Sequence, residues 1–331
     1  MIIYIKPHSI FPNLSSNKIF GAICYSISEL YVDILEDMIK DFKNDPPFIL
    51  SSGFPVIYDD TNKVRFYPKP LVSEDISGSD YTRTMLKCSF PTPVSEDISG
   101  SDYNYKEYNK IEFIQEEIFF KLSSGDINQE EIIKNFNSYK SSNGLLMEDE
   151  FDSKFSKIIT PNNSVNRITN ETEGIFYTEG RQFKNSGLFF IVEFNGDENE
   201  EKYKDIIESA IRFLRDRGFG GDISTGKGHF DYEIAEFNLP SYESNYFLTL
   251  SQYIPSTEDL SKINKNSFYE ISSKRGRSSD GEIRKKISFF KEGSVFPHYN
   301  EFYGKIVESG ENSPAVEYGY AFPFKYKFRG D

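Results

Sequence analysis

The run Arg217-Gly218-Phe219-Gly220-Gly221-Asp222-Ile223-Ser224-Thr225-Gly226-Lys227-Gly228-His229-Phe230 constrains this chain more than any other segment. Five glycines within the eleven residues 218–228 suit neither a helix nor a strand. They permit positive φ and the close approach of a second backbone, and successive amides in such a loop can form a nest for an anion. Ser224, Thr225 and Lys227 add donors suited to phosphate. Gly218 fits the C-cap of a helix over 200–217, whose Tyr203, Ile207, Ala210 and Leu214 share one face. Residues 229–237 then alternate as a strand. A plain connector needs one or two glycines; five, interleaved with Ser, Thr and Lys, point to phosphate or backbone contact. Gly220, Gly221, Ser224, Thr225, Gly226, Lys227 and Gly228 are the candidate ligands, with Arg217 at the helix end as a further cation.

Two familiar motifs nearly fit the loop and both fail. Gly221 to Lys227 spells G-x-x-x-x-G-K, but Gly228 stands where a magnesium-binding hydroxyl is needed. The loop also follows a helix and enters a strand, so no helix N-terminus faces a nucleotide. Gly220-Gly221-Asp222 resembles the turn of palm-type polymerases, yet Ile223 replaces the second acid of the metal pair.

The rest of the chain supplies a frame for the loop. Residues 2–6 alternate as a strand, and Ser15 or Ser16 can cap a helix. Phe20, Ile23, Ile27, Leu30, Ile34, Met38 and Phe42 recur at steps of three and four, which predicts one amphipathic helix of about seven turns. Residues 48–50, 63–67 and 187–194 read as strands. The order β-α-β-β-…-β-α-β is that of the ferredoxin-like fold, in the α+β class. A smaller module starts near Pro240, with strands at 246–252, 267–272, 285–290 and 315–320. Residues 68–143 interrupt the first module, and the decapeptide VSEDISGSDY occurs there twice, at 72–81 and 94–103. The 31 Phe and 22 Tyr favour sheets.

The net charge of −14 argues against a free-standing nucleic-acid binder, so any phosphate contact needs a local basic patch and partner subunits. Residues 272–291 carry such a patch: seven basic residues, among them Lys274, Arg275 and Arg284, against two acids. That segment reads as an exposed hairpin, either contacting RNA or a subunit or simply kept soluble by charge. Arg167 is equally readable as a phosphate ligand or as one half of an ion pair. Cys24 and Cys88 lie far apart without metal-ligand spacing and fit a reducing cytoplasm. No apolar stretch approaches the roughly 20 residues of a membrane span. His8, His229 and His298 are the three histidines; a ribonuclease would draw on His8 or His229. No catalytic triad, metal cluster or cofactor motif is legible.

Helix, GFGGDISTGKGHF, then strand resembles the G-rich loop signature of the RAMP (repeat-associated mysterious protein) CRISPR subunits. SSNKIFGAICYSI is similar to the S-D-T-hydrophobic-F-G-A opening of one RAMP group, and PPFILSSGFPV and YPKP to the stretch after its helix. NRIT, KEGSVF and EYGYAFPF match later blocks. Together they resemble the fourth-subunit family of type III-A (Csm) interference complexes. The resemblance implies two ferredoxin-like (RRM-like) domains, 1–239 and 240–331, with the 68–143 insertion as a thumb that kinks RNA. It implies a non-catalytic role capping the 5′ handle of the crRNA, with a large polymerase-like subunit and a backbone RAMP subunit as partners. It adds Ser16, Asn17 and Lys18 to the RNA-binding candidates. The chain departs from the pattern at Asn17-Lys18, where the family has Asp-Thr.

Overall fold

The computed structural model describes all residues except 60–61, 73–99, 166–167, 170, 221–222, 277–282, 311–314 and 330–331. Most of both decapeptide copies, Cys88, Arg167, Gly221 and the hairpin tip expected at 278–281 therefore lie outside the described residues.

The first strand, β1 (Ile2–Pro7), leads through an extended segment to α1 (Ser16–Leu30) and α2 (Val32–Asn44). The single long helix expected here is broken at Tyr31, whose φ of −146° and ψ of 67° leave the helical region. The break has a packing cause. Phe20 and Phe42 meet edge-on with ring centroids 5.0 Å apart. In an unbroken helix 22 residues would separate them by roughly 33 Å. Phe42 also packs on Phe48 at 5.0 Å, so folding the helix back brings two apolar stripes to one core.

Next come β2 (Phe48–Leu50), β3 (Phe54–Asp59) and β4 (Asn62–Pro68). The interrupting segment holds α3 (Gly100–Asn109), β5 (Phe113–Gln115), α4 (Glu116–Ser123), α5 (Gln129–Lys134), β6 (Lys140–Ser142) and β7 (Leu145–Met147). Its described part is not a thumb. β5 pairs with β4, and β7 and β6 extend the sheet further. α4 lays Phe119 on Tyr67, rings stacked at 4.8 Å. With Ile114, Ile118, Phe119 and Leu122 buried, the segment belongs to the body. The projecting unit lies later: β8 (Lys154–Val165) and β9 (Thr172–Lys184) form a two-stranded arm.

The chain then forms β10 (Ser186–Phe194), α6 (Asp197–Arg217) and β11 (Phe230–Ala235). β11, β1, β10 and β3 stand side by side in that order, every pair antiparallel, with Ile2 opposite both Ile191 and Ala235. This is the strand order of the ferredoxin-like plan. α1 and α6 pack together, and Ile5, Ile19, Ile211 and Leu214 line one small apolar space between them and the sheet.

The C-terminal part contains β12 (Tyr246–Thr249), α7 (Thr257–Lys262), β13 (Ile271–Lys274), β14 (Ile287–Phe290), β15 (Val295–Pro297), β16 (Val307–Glu308), β17 (Val316–Glu317) and β18 (Pro323–Tyr326). β12 lies between β15 and β18, and Phe268 bridges to Val295. Where a ferredoxin-like unit would carry its second helix, the β16–β17 hairpin stands instead. The fold is α+β, and one core runs through both parts. The Leu50 amide donates to Tyr318 Oη at 2.9 Å, and Tyr320 Oη donates to the Phe42 carbonyl at 2.6 Å. Among the described residues no helix is long and apolar enough to cross a membrane.

Candidate nucleic-acid interface

α6 stops at Gly218, whose φ of +94° ends the helix while its N–H still reaches the Leu214 carbonyl at 2.7 Å. Phe219 turns inward, stacking on Phe11 at 5.6 Å, and Phe230 meets Phe11 edge-on at the same distance. The loop is closed by the Phe219 amide donating to the Gly228 carbonyl at 2.9 Å. It is tied to the N-terminal segment by the Gly228 amide donating to the Ile10 carbonyl at 3.2 Å. A Cβ on Gly228 would sit 2.1 Å from the Phe219 carbonyl oxygen, so the close backbone approach foreseen for this loop is internal.

That geometry corrects part of the expected phosphate nest. The Gly228 amide is spent on Ile10, and the Gly226 amide on the Ile223 carbonyl at 2.9 Å, closing a short 3-10 turn over Ile223–Thr225 that includes Ser224. Gly220 is exposed beside Pro12, and Gly226 has open space at its Cβ position. Lys227 donates to Thr178 Oγ1 on β9 at 3.0 Å, which couples the loop to the arm. Arg217 is exposed, its guanidinium 5.8 Å from the Phe213 ring centroid.

The arm is anchored beside the loop by paired backbone bonds between Phe11 and Arg181, at 3.0 and 2.8 Å. Directly opposed residues of an antiparallel pair share a face. Thr178 and Gly180 thus lie on the face toward Lys227 and Ile10, and Ile159, Pro161, Ile175 and Tyr177 on the other. That second face is open and mixed: Ile175 and Tyr177 are 66% and 67% exposed, beside Asn163 and a Lys157–Glu179 ion pair at 2.9 Å.

The start of α1 and the basic C-terminal segment, over 250 residues apart in the chain, converge. Ser16 and Asn17 are buried, which removes them as RNA ligands and gives them another task. Ser16 Oγ accepts from the Gln252 amide at 3.1 Å, and the Ser16 amide donates to Ser52 Oγ at 2.9 Å. Asn17 Nδ2 donates to Glu317, and Asn17 Oδ1 accepts from the Tyr318 amide at 3.2 Å. The same Glu317 pairs with Lys274 at 3.2 Å and Arg284 at 3.3 Å. Arg275 Nε donates to the Arg284 carbonyl at 3.2 Å. Lys18, exposed on the first turn of α1, donates to the Asn13 carbonyl at 3.1 Å.

Although Lys18 is exposed as a residue, partial desolvation of its ammonium, and then the neighbouring Lys274 charge, push that group below the usual lysine value. Burial lowers Lys274 as well, against the attraction of Glu317. Burial by itself would raise the Glu317 carboxyl; the Asn17 amide and the Lys274 ammonium outweigh it and hold the group below the ordinary carboxylate value. Glu317 was missed as a candidate because an acid inside an aromatic run carries no local signal of what it pairs with. At the other end of the loop, His8 Nε2 lies 2.9 Å from Asp231 Oδ2, both side chains exposed.

Residues 242–326 match the family described as the CRISPR Csm4 C-terminal domain. The "CRISPR system Cms protein Csm4" of Thermococcus onnurineus (strain NA1) is 28% identical over 171 residues, covering 51% of this chain and 54% of that protein. The chain thus aligns with about half the length of this curated relative. Among solved structures, Csm4 in a Csm3–Csm4 subcomplex of the type III-A CRISPR-Cas interference complex superposes with a TM-score of 0.68. The identity is 19%, over 98% of this chain and 99% of that one. A Csm1–Csm4 cassette in complex with pppApA gives a TM-score of 0.59 at 19% identity, over 100% and 98%. The chain is similar to Csm4 in sequence, and it shares its fold.

Proposed function

We propose that this chain grips single-stranded RNA as the Csm4-type subunit of a type III-A interference complex, anchoring the 5′ handle of the crRNA without catalysing a reaction. Its partners in that role are the large polymerase-like subunit and the backbone RAMP subunit. The observation that supports the reading is a single segment that joins the two candidate regions. The segment 8–18 touches the glycine-rich loop through Ile10–Gly228 and Pro12–Gly220, and at its other end Asn17, next to Lys18, bonds the Glu317 that holds Lys274 and Arg284. In a chain of net charge −14 a polyanion needs such a local concentration of cations. Gly220, Thr225 and Gly226 are exposed in the loop that one end of this segment touches, and Lys274 and Arg284 stand by its other end. Arg167 and Gly221 stay within the proposal as neighbours in sequence of the arm and the loop.

Co-expression with the neighbouring CRISPR subunits tests the reading. The expected outcome is co-purification of a large subunit, several backbone subunits and a short RNA that crosslinks to this chain. A Lys18→Ala, Lys274→Ala variant should retain its fold and lose affinity, with the salt slope flattening by roughly 0.7 per lost phosphate contact. Undiminished RNA loading in that variant would refute the gripping role. The His8–Asp231 pair favours one competing reading, a repeat-processing ribonuclease. Cleavage of repeat RNA by the purified chain, abolished by His8→Ala, would establish it in place of the non-catalytic one.

A further inference from the structure

The elbow between α1 and α2 leaves large apolar side chains in the open. Leu30 and Tyr31 at the bend are 41% and 38% exposed. Tyr25, on the outer side of α1, is 43% exposed, with its ring 6.1 Å from that of Phe213 on α6. Acids surround them. Glu29 and Asp33 flank the bend, Glu36 follows within one turn, and Glu201 and Asp205 are exposed on the first half of α6. That half of α6 stands beside α2, since Tyr203 Oη donates to Asp41 at 2.7 Å. None of these acids is ion-paired among the described residues, and the nearby lysines are already engaged, Lys40 with Asp37 and Lys202 with Asp41, each at 3.1 Å. Gly21, one turn before Tyr25 on the same stripe, is also exposed, and a Cβ there would meet nothing within 4 Å. We infer that this elbow docks a second protein subunit of the assembly, one that sets an apolar side chain against the exposed Tyr and Leu side chains and Lys or Arg side chains against the acids. The inference rests on the reading of this chain as a subunit of a larger complex, and assigns one of its faces.

Charge decides what kind of partner fits. Unpaired carboxylates repel RNA, whereas a protein surface with cations around an apolar centre is attracted, steered into register and then held by burial of the aromatic side chains. Tyrosine suits such a contact, since it buries a large rigid area and loses little conformational freedom. A purely apolar partner has no use for the acids, and a purely basic one has none for Tyr25, Leu30 and Tyr31; here both occur together. Gly21 points the same way. Glycine weakens a helix interior, and neither a positive φ nor a close neighbour in the chain calls for it at this position. A flat place beside Tyr25 lets a partner's backbone come close, a use that the isolated chain does not have.

Titrating the nuclease-treated full-length chain with the purified large subunit and, separately, with the purified backbone subunit tests the assignment. One of the two should bind, more weakly as salt rises. Glu29→Lys combined with Asp33→Lys should raise that Kd about tenfold and flatten its salt dependence. Tyr25→Ser should raise it by a similar factor with the salt dependence kept. Gly21→Ala should lift the Tm of the free chain by about 2 °C, and Gly21→Gln, no less stable than the native chain, should still weaken docking several-fold. Docking that falls only where Tm falls would reduce these residues to a structural role and overturn the inference. Native affinity in both the charge-reversed and the Gly21→Gln chains overturns it, as does binding indifferent to salt. A native chain that dimerises in sedimentation, with the charge-reversed chain monomeric, gives the face to a second copy and overturns it too. If neither subunit binds, the inference falls while the RNA-gripping reading keeps its own test, the crosslink to RNA. A chain that docks as expected and crosslinks to no RNA supports the elbow and removes only the gripping reading.

Discussion

Asn17 and Glu317, 300 residues apart, are joined by a side-chain hydrogen bond in which the amide Nδ2 donates to the carboxylate. Through it the first turn of the first helix is locked to the last hairpin of the chain. An acid at position 17, as in the pattern this chain resembles, would set two carboxylates against each other here. The amide is the residue that suits this particular neighbour.

Asn17→Asp should therefore destabilise the fold by about 2–4 kcal/mol at neutral pH, because a buried acid loses its donor and gains a like charge. Sharing one proton relieves the conflict, so the folded-state pKa of the pair rises above its unfolded value. The deficit relative to the native chain should shrink as pH falls through that raised value and widen as pH rises. Urea unfolding at pH 5 and pH 7 checks the sign. A pH-independent gap would contradict the pairing.

The loop glycines should separate by role. Gly228 has φ +78° and no room for a Cβ, so Gly228→Ala should cost on the order of 3 kcal/mol. Gly226 has φ +83° but open space, so Gly226→Ala should cost only about 1 kcal/mol. Thermal unfolding of the two variants side by side measures the difference. RNA-binding experiments on the loop then belong at Gly226, where folding survives.

Phe219 is the peg that holds the loop against Phe11. Truncating it to alanine leaves a hole against the Phe11 ring and should cost about 3–5 kcal/mol. Hydrogen exchange should quicken first at the Phe219 amide, whose bond closes the loop, and at the Gly228 amide, whose bond ties it to Ile10. Uniform quickening over the whole chain would show instead that the loop is not a separate unit.

Lys69 offers a pH signature in the body of the fold. Burial lowers its ammonium to about 8, while the side chain donates to the Tyr108 carbonyl at 2.9 Å and lies over that ring. A lysine pKa lower folded than unfolded means that between the two values the unfolded chain holds more protons. Native stability should thus rise from about pH 8 toward the ordinary lysine value, by on the order of 2 kcal/mol. Lys69→Met should lack that rise. Parallel stability-versus-pH curves for the two proteins would rule out the assignment.

What the sequence determined by itself was local. The glycine run had to be a loop because its backbone suits little else, and its place between a helix and a strand followed from the two periodicities around it. The order of strands and helices in the first module was legible for the same reason, as was the basic bias of 272–291 in an acidic chain. Tertiary structure decided everything that depends on partners. An unbroken apolar stripe from Phe20 to Phe42 does not reveal that its ends must touch, and only the core they share bends the helix at Tyr31. The 68–143 segment reads as an appendage until β5 and α4 are laid against β4, while β8 and β9 of the arm pair only with each other among the described strands. Ser16 and Asn17 look like ligands in the chain and turn inward in the fold, where Gln252, Ser52 and Glu317 claim their polar atoms. Periodicity says which way a side chain points, but not which atoms meet it there; that is set by the register between distant strands.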